Sequence, residues 1–155
     1  MLYVGYSELV IDAKARLAVP ARYRAQWDPT ADGKHWVLVP WERGLLRLYT
    51  EVGFSQLVAQ MRSSLTPSPE RARLQAALFG FAEAVEMDGA GRIVIPKHQL
   101  ERTGLSGEVV MIGSGDRFEI RAKGAWKSGE DELFASLPSL AQDVERSEGP
   151  AGREK

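Results

Sequence analysis

Asp12-Ala13-Lys14-Ala15-Arg16-Leu17-Ala18-Val19-Pro20 and Asp88-Gly89-Ala90-Gly91-Arg92-Ile93-Val94-Ile95-Pro96 are one pattern written twice, 76 residues apart. Asp, Arg and Pro recur in register. Small residues face small ones (Ala13/Gly89, Ala15/Gly91), and aliphatic residues face aliphatic ones (Leu17/Ile93, Val19/Ile95). The echo continues downstream. Gly44–Tyr49 matches Asp116–Arg121 at an offset of 72, and Phe54 matches Trp126. The offset falls by four, and a loop around Asp28-Pro29-Thr30-Ala31-Asp32-Gly33 is the expected place for the extra residues, since loops absorb insertions cheaply.

The chain therefore divides into repeat 1 (7–54), a helical linker (55–82), repeat 2 (83–126) and a tail (127–155) that is helical and then a disordered acidic end. Each repeat predicts the same order of elements. A short strand leads to a tight turn with Asp at one end and small residues inside. A strand of branched residues follows and ends at Pro, which suits the first turn of a short helix because it has no N–H to leave unpaired. Two more strands close the repeat, Trp36 to Val39 with Leu45 to Tyr49 in the first copy and Glu108 to Ile112 with Arg117 to Arg121 in the second. In the linker, Phe54, Leu57, Val58, Met61 and Leu65 fall on one helical face, as do Leu74, Ala77, Leu78 and Phe81 after a cap at Ser68 and Pro69. Those stripes fit core packing or contact with a neighbouring subunit. A last helix is expected over 130–144, with Leu133, Phe134 and Leu137 on it.

A module of about 45 residues is too small to bury a self-sufficient core. Two copies in one chain make sense if each completes the other. The expected fold is α+β, a pseudo-two-fold β-barrel built by both copies with flanking short helices.

The doubled Asp-x-x-small-Arg-aliphatic-x-aliphatic-Pro motif resembles the SpoVT/AbrB-type swapped-hairpin barrel. With its helical linker the doubled form resembles the MraZ family of bacterial transcriptional regulators, over roughly residues 3–126. The resemblance implies a sequence-specific DNA-binding protein, a homo-oligomer that assembles into a ring on repeated promoter elements of the division and cell-wall gene cluster. Its partner is then double-stranded DNA, with no cofactor and no small-molecule substrate. An AbrB-fold protein-interaction module, such as an antitoxin, is the alternative.

The residues support contact with DNA on their own chemistry. Asp12 and Asp88 can fix the turns by accepting backbone N–H bonds, and Gly91 lets the second turn stay tight. Arg16 and Arg92 then project from a rigid base, where a planar guanidinium can grip guanine or clamp a phosphate. Lys14, Arg22 and Arg24 from the first copy, with Lys97 and His98 from the second, could hold phosphates around the turns. Ala15 stands where the family pattern has Gly, so the first turn is strained if that position needs a positive φ.

Composition narrows the alternatives. The 155 residues hold no Cys, which removes disulfides, cysteine nucleophiles and zinc ribbons, and the only two His are His35 and His98. Gly113-Ser114-Gly115 lacks the strand-to-helix setting of a nucleophile, and it is too short to cradle a phosphate. No catalytic or metal site is expected. Neither a membrane span nor a leader is recognisable, so a cytoplasmic, nucleoid-associated location is expected. The net charge of −1 argues against a nonspecific nucleic-acid binder. The tail 127–155 carries four basic and seven acidic side chains, which leaves the remainder at +2.

Overall fold

The computed structural model describes residues 2–61 and 63–149. It is an α+β structure whose strands all pair antiparallel. The first repeat supplies β1 (Tyr6–Ile11), β2 (Arg16–Ala18), α1 (Ala21–Gln26), α2 (Pro29–Asp32), β3 (Trp36–Glu42) and β4 (Leu45–Thr50). The helices α3 (Glu51–Ala59) and α4 (Pro69–Phe81) connect it to the second. That repeat supplies β5 (Glu83–Val85), β6 (Arg92–Val94), α5 (Lys97–Thr103), β7 (Gly107–Gly113) and β8 (Phe118–Ala122), and α6 (Lys123–Ser147) follows.

The strands exchange partners between repeats. Six of them form one sheet in the order β1-β7-β8-β4-β3-β5, and β2 pairs with β6 in a separate ribbon. The first strand of each repeat thus lies beside the third strand of the other. The register is symmetric about two points. In the ribbon Leu17 faces Ile93, with Arg16 opposite Val94 and Ala18 opposite Arg92. In the sheet Arg47 faces Glu119, with Leu46 opposite Ile120 and Leu48 opposite Phe118. These pivots are the residues that the sequence offsets of 76 and 72 equate.

The expected closed barrel is not found. β1 and β5 remain the edges of the six-stranded sheet, and the ribbon packs against it without joining its hydrogen-bond ladder. The reason is where the ribbon's backbone groups go. Its strands have three residues each. Beyond them, Val19 N–H donates to the Gly91 carbonyl at 2.9 Å and Ile95 N–H to the Ala15 carbonyl at 2.8 Å. Each short strand is tied to the other repeat's turn and not to a sheet edge.

The four extra residues of repeat 1 also fall in two places. Trp36 pairs with Thr50 as Val109 pairs with Ala122, an offset of 73 on the first members, so three residues lie before β3. The fourth is in a bulge between Pro40 and Glu42. The predicted loop at 28–33 contains the one-turn helix α2, capped by the Asp28 side chain, which accepts the Thr30 N–H at 3.0 Å.

One face of the sheet carries the core. Trp36, Leu38, Leu46 and Leu48 meet Val109, Met111, Phe118 and Ile120, and Leu17 and Ile93 join them from the ribbon, all fully buried. On the other face Val37, Val39 and Tyr49 lie under Phe54, Leu57 and Leu78 of α3 and α4. Neither helix buries a residue completely, so the linker stripes are only half used for packing. Leu74 and Phe79 stay 50% and 41% exposed.

The Gly113-Ser114-Gly115 stretch has a structural use. Tyr3 exchanges two backbone hydrogen bonds with Gly115, and Gly113 N–H donates to the Gly5 carbonyl at 2.7 Å. A Cβ on Gly113 would lie 2.6 Å from the Tyr3 and Val4 backbone.

The described chain divides into two compact units, one through Lys123 and one from Gly124 onward. The second unit contains most of α6. This helix is longer than the predicted 130–144 and continues through Pro138, whose missing N–H leaves the Phe134 carbonyl without its helical donor. Of the predicted disordered end, residues 150–155 lie outside the described residues.

Because Leu17 and Ile93 fill the pivot of the ribbon, Leu17→Ala and Ile93→Ala should each destabilise the first unit by about 2–5 kcal/mol. Urea denaturation followed by tryptophan fluorescence checks this, and a loss below about 1 kcal/mol would contradict the assigned packing.

Candidate nucleic-acid interface

The two Asp-to-Arg turns are built alike. Asp12 Oδ1 accepts the N–H groups of Lys14 and Arg16 at 2.9 and 2.8 Å, and Oδ2 accepts Arg16 Nε at 2.7 Å. Asp88 Oδ1 accepts the N–H groups of Ala90 and Arg92 at 2.9 and 3.0 Å, and Oδ2 accepts Arg92 Nε at 2.9 Å. The backbone closes each hairpin through Asp12 N–H to the Arg16 carbonyl and Asp88 N–H to the Arg92 carbonyl. The backbone N–H bond from Arg16 leads in holding the Asp12 carboxyl below its usual range, and the one from Arg92 does the same for Asp88.

Each arginine spends Nε on its aspartate. No hydrogen bond ties the terminal Nη groups of Arg16 or Arg92 to another described residue. The side chains are 30% and 36% exposed, so the guanidinium groups are accessible but held. Alternation sets their direction. Leu17 and Ile93 point into the core, so Arg16, Ala18, Arg92 and Val94 all face outward from the same side of the ribbon. Two positions along antiparallel strands place the arginine Cα atoms ~8 Å apart.

The other predicted cations divide. Lys14 is exposed in the first turn. Lys97 opens α5 two residues beyond Ile95, which is bonded to that same turn. Its ammonium lies 3.8 Å from Glu101 and is 89% exposed. Arg24 reaches the second turn. It donates from Nε to the Val19 carbonyl at 3.0 Å, and a Cβ on Gly91 would meet its Cδ at 2.5 Å. Gly91 therefore serves twice, through φ +77° and by making room for Arg24.

Arg22 and His98 are not brought to the turns. Arg22 donates to the Tyr6 carbonyl and Ser7 Oγ at 2.9 and 3.0 Å, at the start of β1, roughly 17 Å along the strand from its turn. His98 makes the equivalent contact in repeat 2, 3.3 Å from Glu83 in β5. Both follow the ribbon's chain back along the first strand, a path hidden until the hairpin closes. Ala18 and Val94 reach the outward face without having been singled out from sequence. Their signal was the alternation about the buried Leu17 and Ile93.

Ala15 adopts φ +61°, the left-handed position that the sequence pattern assigns to Gly. Its replacement by Gly should stabilise the chain by about 1 kcal/mol in urea denaturation. Gly91→Ala should do the reverse and also displace Arg24. The aspartates add a pH dependence. Their folded values lie below the unfolded ones, so their contribution is fully present above the ordinary aspartate range and is lost as pH falls below that range through the lowered folded values. The N–H signals of Lys14, Arg16, Ala90 and Arg92 should therefore shift together in NMR with a midpoint below about 3.9, the unperturbed value.

The sequence has relatives among known proteins. A family model described as "MraZ protein, putative antitoxin-like" matches residues 78–148. The chain is 36% identical over 138 residues to the transcriptional regulator MraZ of Coxiella burnetii, covering 88% of this chain and 91% of that protein. It is 35% identical over 141 residues to the protein of the same name from Chromobacterium violaceum, covering 90% and 95%. The corresponding protein of Thioalkalivibrio sulfidiphilus is 32% identical over 141 residues, with 91% and 93% covered. With a relative above 30% identity matched along nearly its whole length, the chain belongs to the MraZ family of transcriptional regulators.

Proposed function

We propose that this chain is a sequence-specific DNA-binding regulator that reads its operator with the β2–β6 ribbon. The observation that carries the reading is the common outward face of Arg16 and Arg92, each braced by its own aspartate. A two-stranded ribbon fits the major groove, and a guanidinium with free Nη groups can bond guanine O6 and N7. Bracing lowers the cost of ordering a long side chain on binding. Lys14, Lys97 and Arg24 surround the ribbon as phosphate contacts. Arg22 and His98, placed elsewhere, are left out of this footprint.

A few such contacts bind weakly in one copy. Linking several copies on one DNA raises affinity ~10²–10⁴-fold without new contacts. A homo-oligomeric ring on repeated promoter elements of the division and cell-wall gene cluster fits that need. The half-covered α3 and α4 and the exposed Leu133, Phe134, Leu137, Leu140 and Val144 of α6 supply apolar surface for assembly. The same exposed α6 residues favour a second reading, in which the chain engages a different protein in the manner of an antitoxin. Cytoplasmic location follows from either role. No described helix is long and apolar enough to cross a membrane.

The test is retardation of the DNA upstream of this gene, at two salt concentrations, beside size measurement. Arg16→Ala and Arg92→Ala should each weaken binding by roughly tenfold or more, at the ~1–3 kcal/mol of a bidentate base contact, with oligomer size unchanged. Binding should also weaken as salt rises. Normal retardation by the double variant would overturn the reading.

A further inference from the structure

Beside both arginines lies a half-exposed apolar side chain. Val94 is 54% exposed, although Ile93 and Ile95 on either side of it are buried. It stands opposite Arg16 in the ribbon and shares the outward face of Arg92. A β-branched residue on a strand has little rotamer freedom, so its two methyl groups are presented in a fixed direction. The pseudo-symmetric counterpart of Val94 is Ala18, opposite Arg92, which has a single methyl carbon and a shorter reach.

Resting on the reading of the ribbon as the DNA-contacting element, we propose that Val94 is a specificity residue that packs on the 5-methyl group of a thymine. That methyl is the apolar group the major groove offers. Cross-strand neighbours hold their Cβ atoms about 4.5–5.5 Å apart, between one and two of the ~3.4 Å steps between bases, so Val94 meets a base within two steps of the one Arg16 reads. Ala18, with one methyl carbon, makes a smaller contact beside Arg92. Thymine is therefore preferred more strongly on one side of the ribbon, and the two repeats read unequal sequences despite their matched arginines.

The experiment uses the full chain and a duplex that it selects from a random-sequence library. Each thymine is replaced singly by deoxyuridine, which removes the 5-methyl and leaves every hydrogen-bonding group in place. One replacement should weaken binding by the wild-type chain roughly fourfold, the value of one buried methylene-sized group. It should lie within two base pairs of the one that Arg16→Ala no longer discriminates. The same replacement should weaken binding by Val94→Ala less than it weakens binding by the wild type. Retained binding of the wild type to every uracil duplex would overturn the proposal and leave the DNA reading standing. Equal sensitivity in Val94→Ala would also overturn it. Failure to select any duplex would overturn both.

Discussion

Leu17 and Ile93 face each other at the centre of a ribbon only three residues long on each side, and neither has any exposed surface. A pair of strands this short cannot persist alone in water. It persists here because the two apolar side chains enter the common core and because each strand's next N–H is bonded to the opposite turn. This crossing has long-range consequences. It brings the first strand of each repeat to the third strand of the other, and so sets the order of the large sheet. It also fixes the outward direction of both arginines. The candidate site is a by-product of the contact that joins the repeats.

Two roles for the Asp-to-Arg turn compete on paper. The arginine could exist to close the turn, or to reach a ligand. The geometry reconciles them. Asp12 and Asp88 take the Nε of their arginines and two backbone N–H groups each, which leaves the Nη ends outward. A side chain braced at its middle loses less freedom when its tip binds. The backbone N–H bonds lead in keeping the carboxylates ionised, and the Nε bonds to those carboxylates prepare the guanidinium groups.

The repeats share the order of their strands and differ in detail. In one half, Gly113 lets Tyr3 and Val4 lie close and donates its N–H to Gly5. The equivalent residue of the other half is Pro40, paired with Leu46 as Gly113 is with Phe118, and it has no N–H to offer. At the turns, Gly91 admits Arg24 where Ala15 is held at φ +61°. Repeat 2 lacks a cation at Ala90, and Arg24 from repeat 1 stands near its turn instead. Such exchange between halves keeps a duplicated sequence from folding into two identical halves.

The periodicity of the sequence determined the repeated elements, the turns and their capping, because those depend on neighbours within a few residues. The alternation around Leu17 and Ile93 even marked which face of the ribbon is dry. Offsets of 76 and 72 contained the pivots of the pseudo-dyad. What they could not contain was closure. Whether strands join into a barrel depends on where the last few N–H groups find partners, and Val19 and Ile95 find them in the opposite turns. The placement of cations was likewise a tertiary matter. Arg22 and Arg24 are two residues apart in α1, yet one is spent on β1 and the other lies across Gly91, since only the folded chain brings those surfaces within reach.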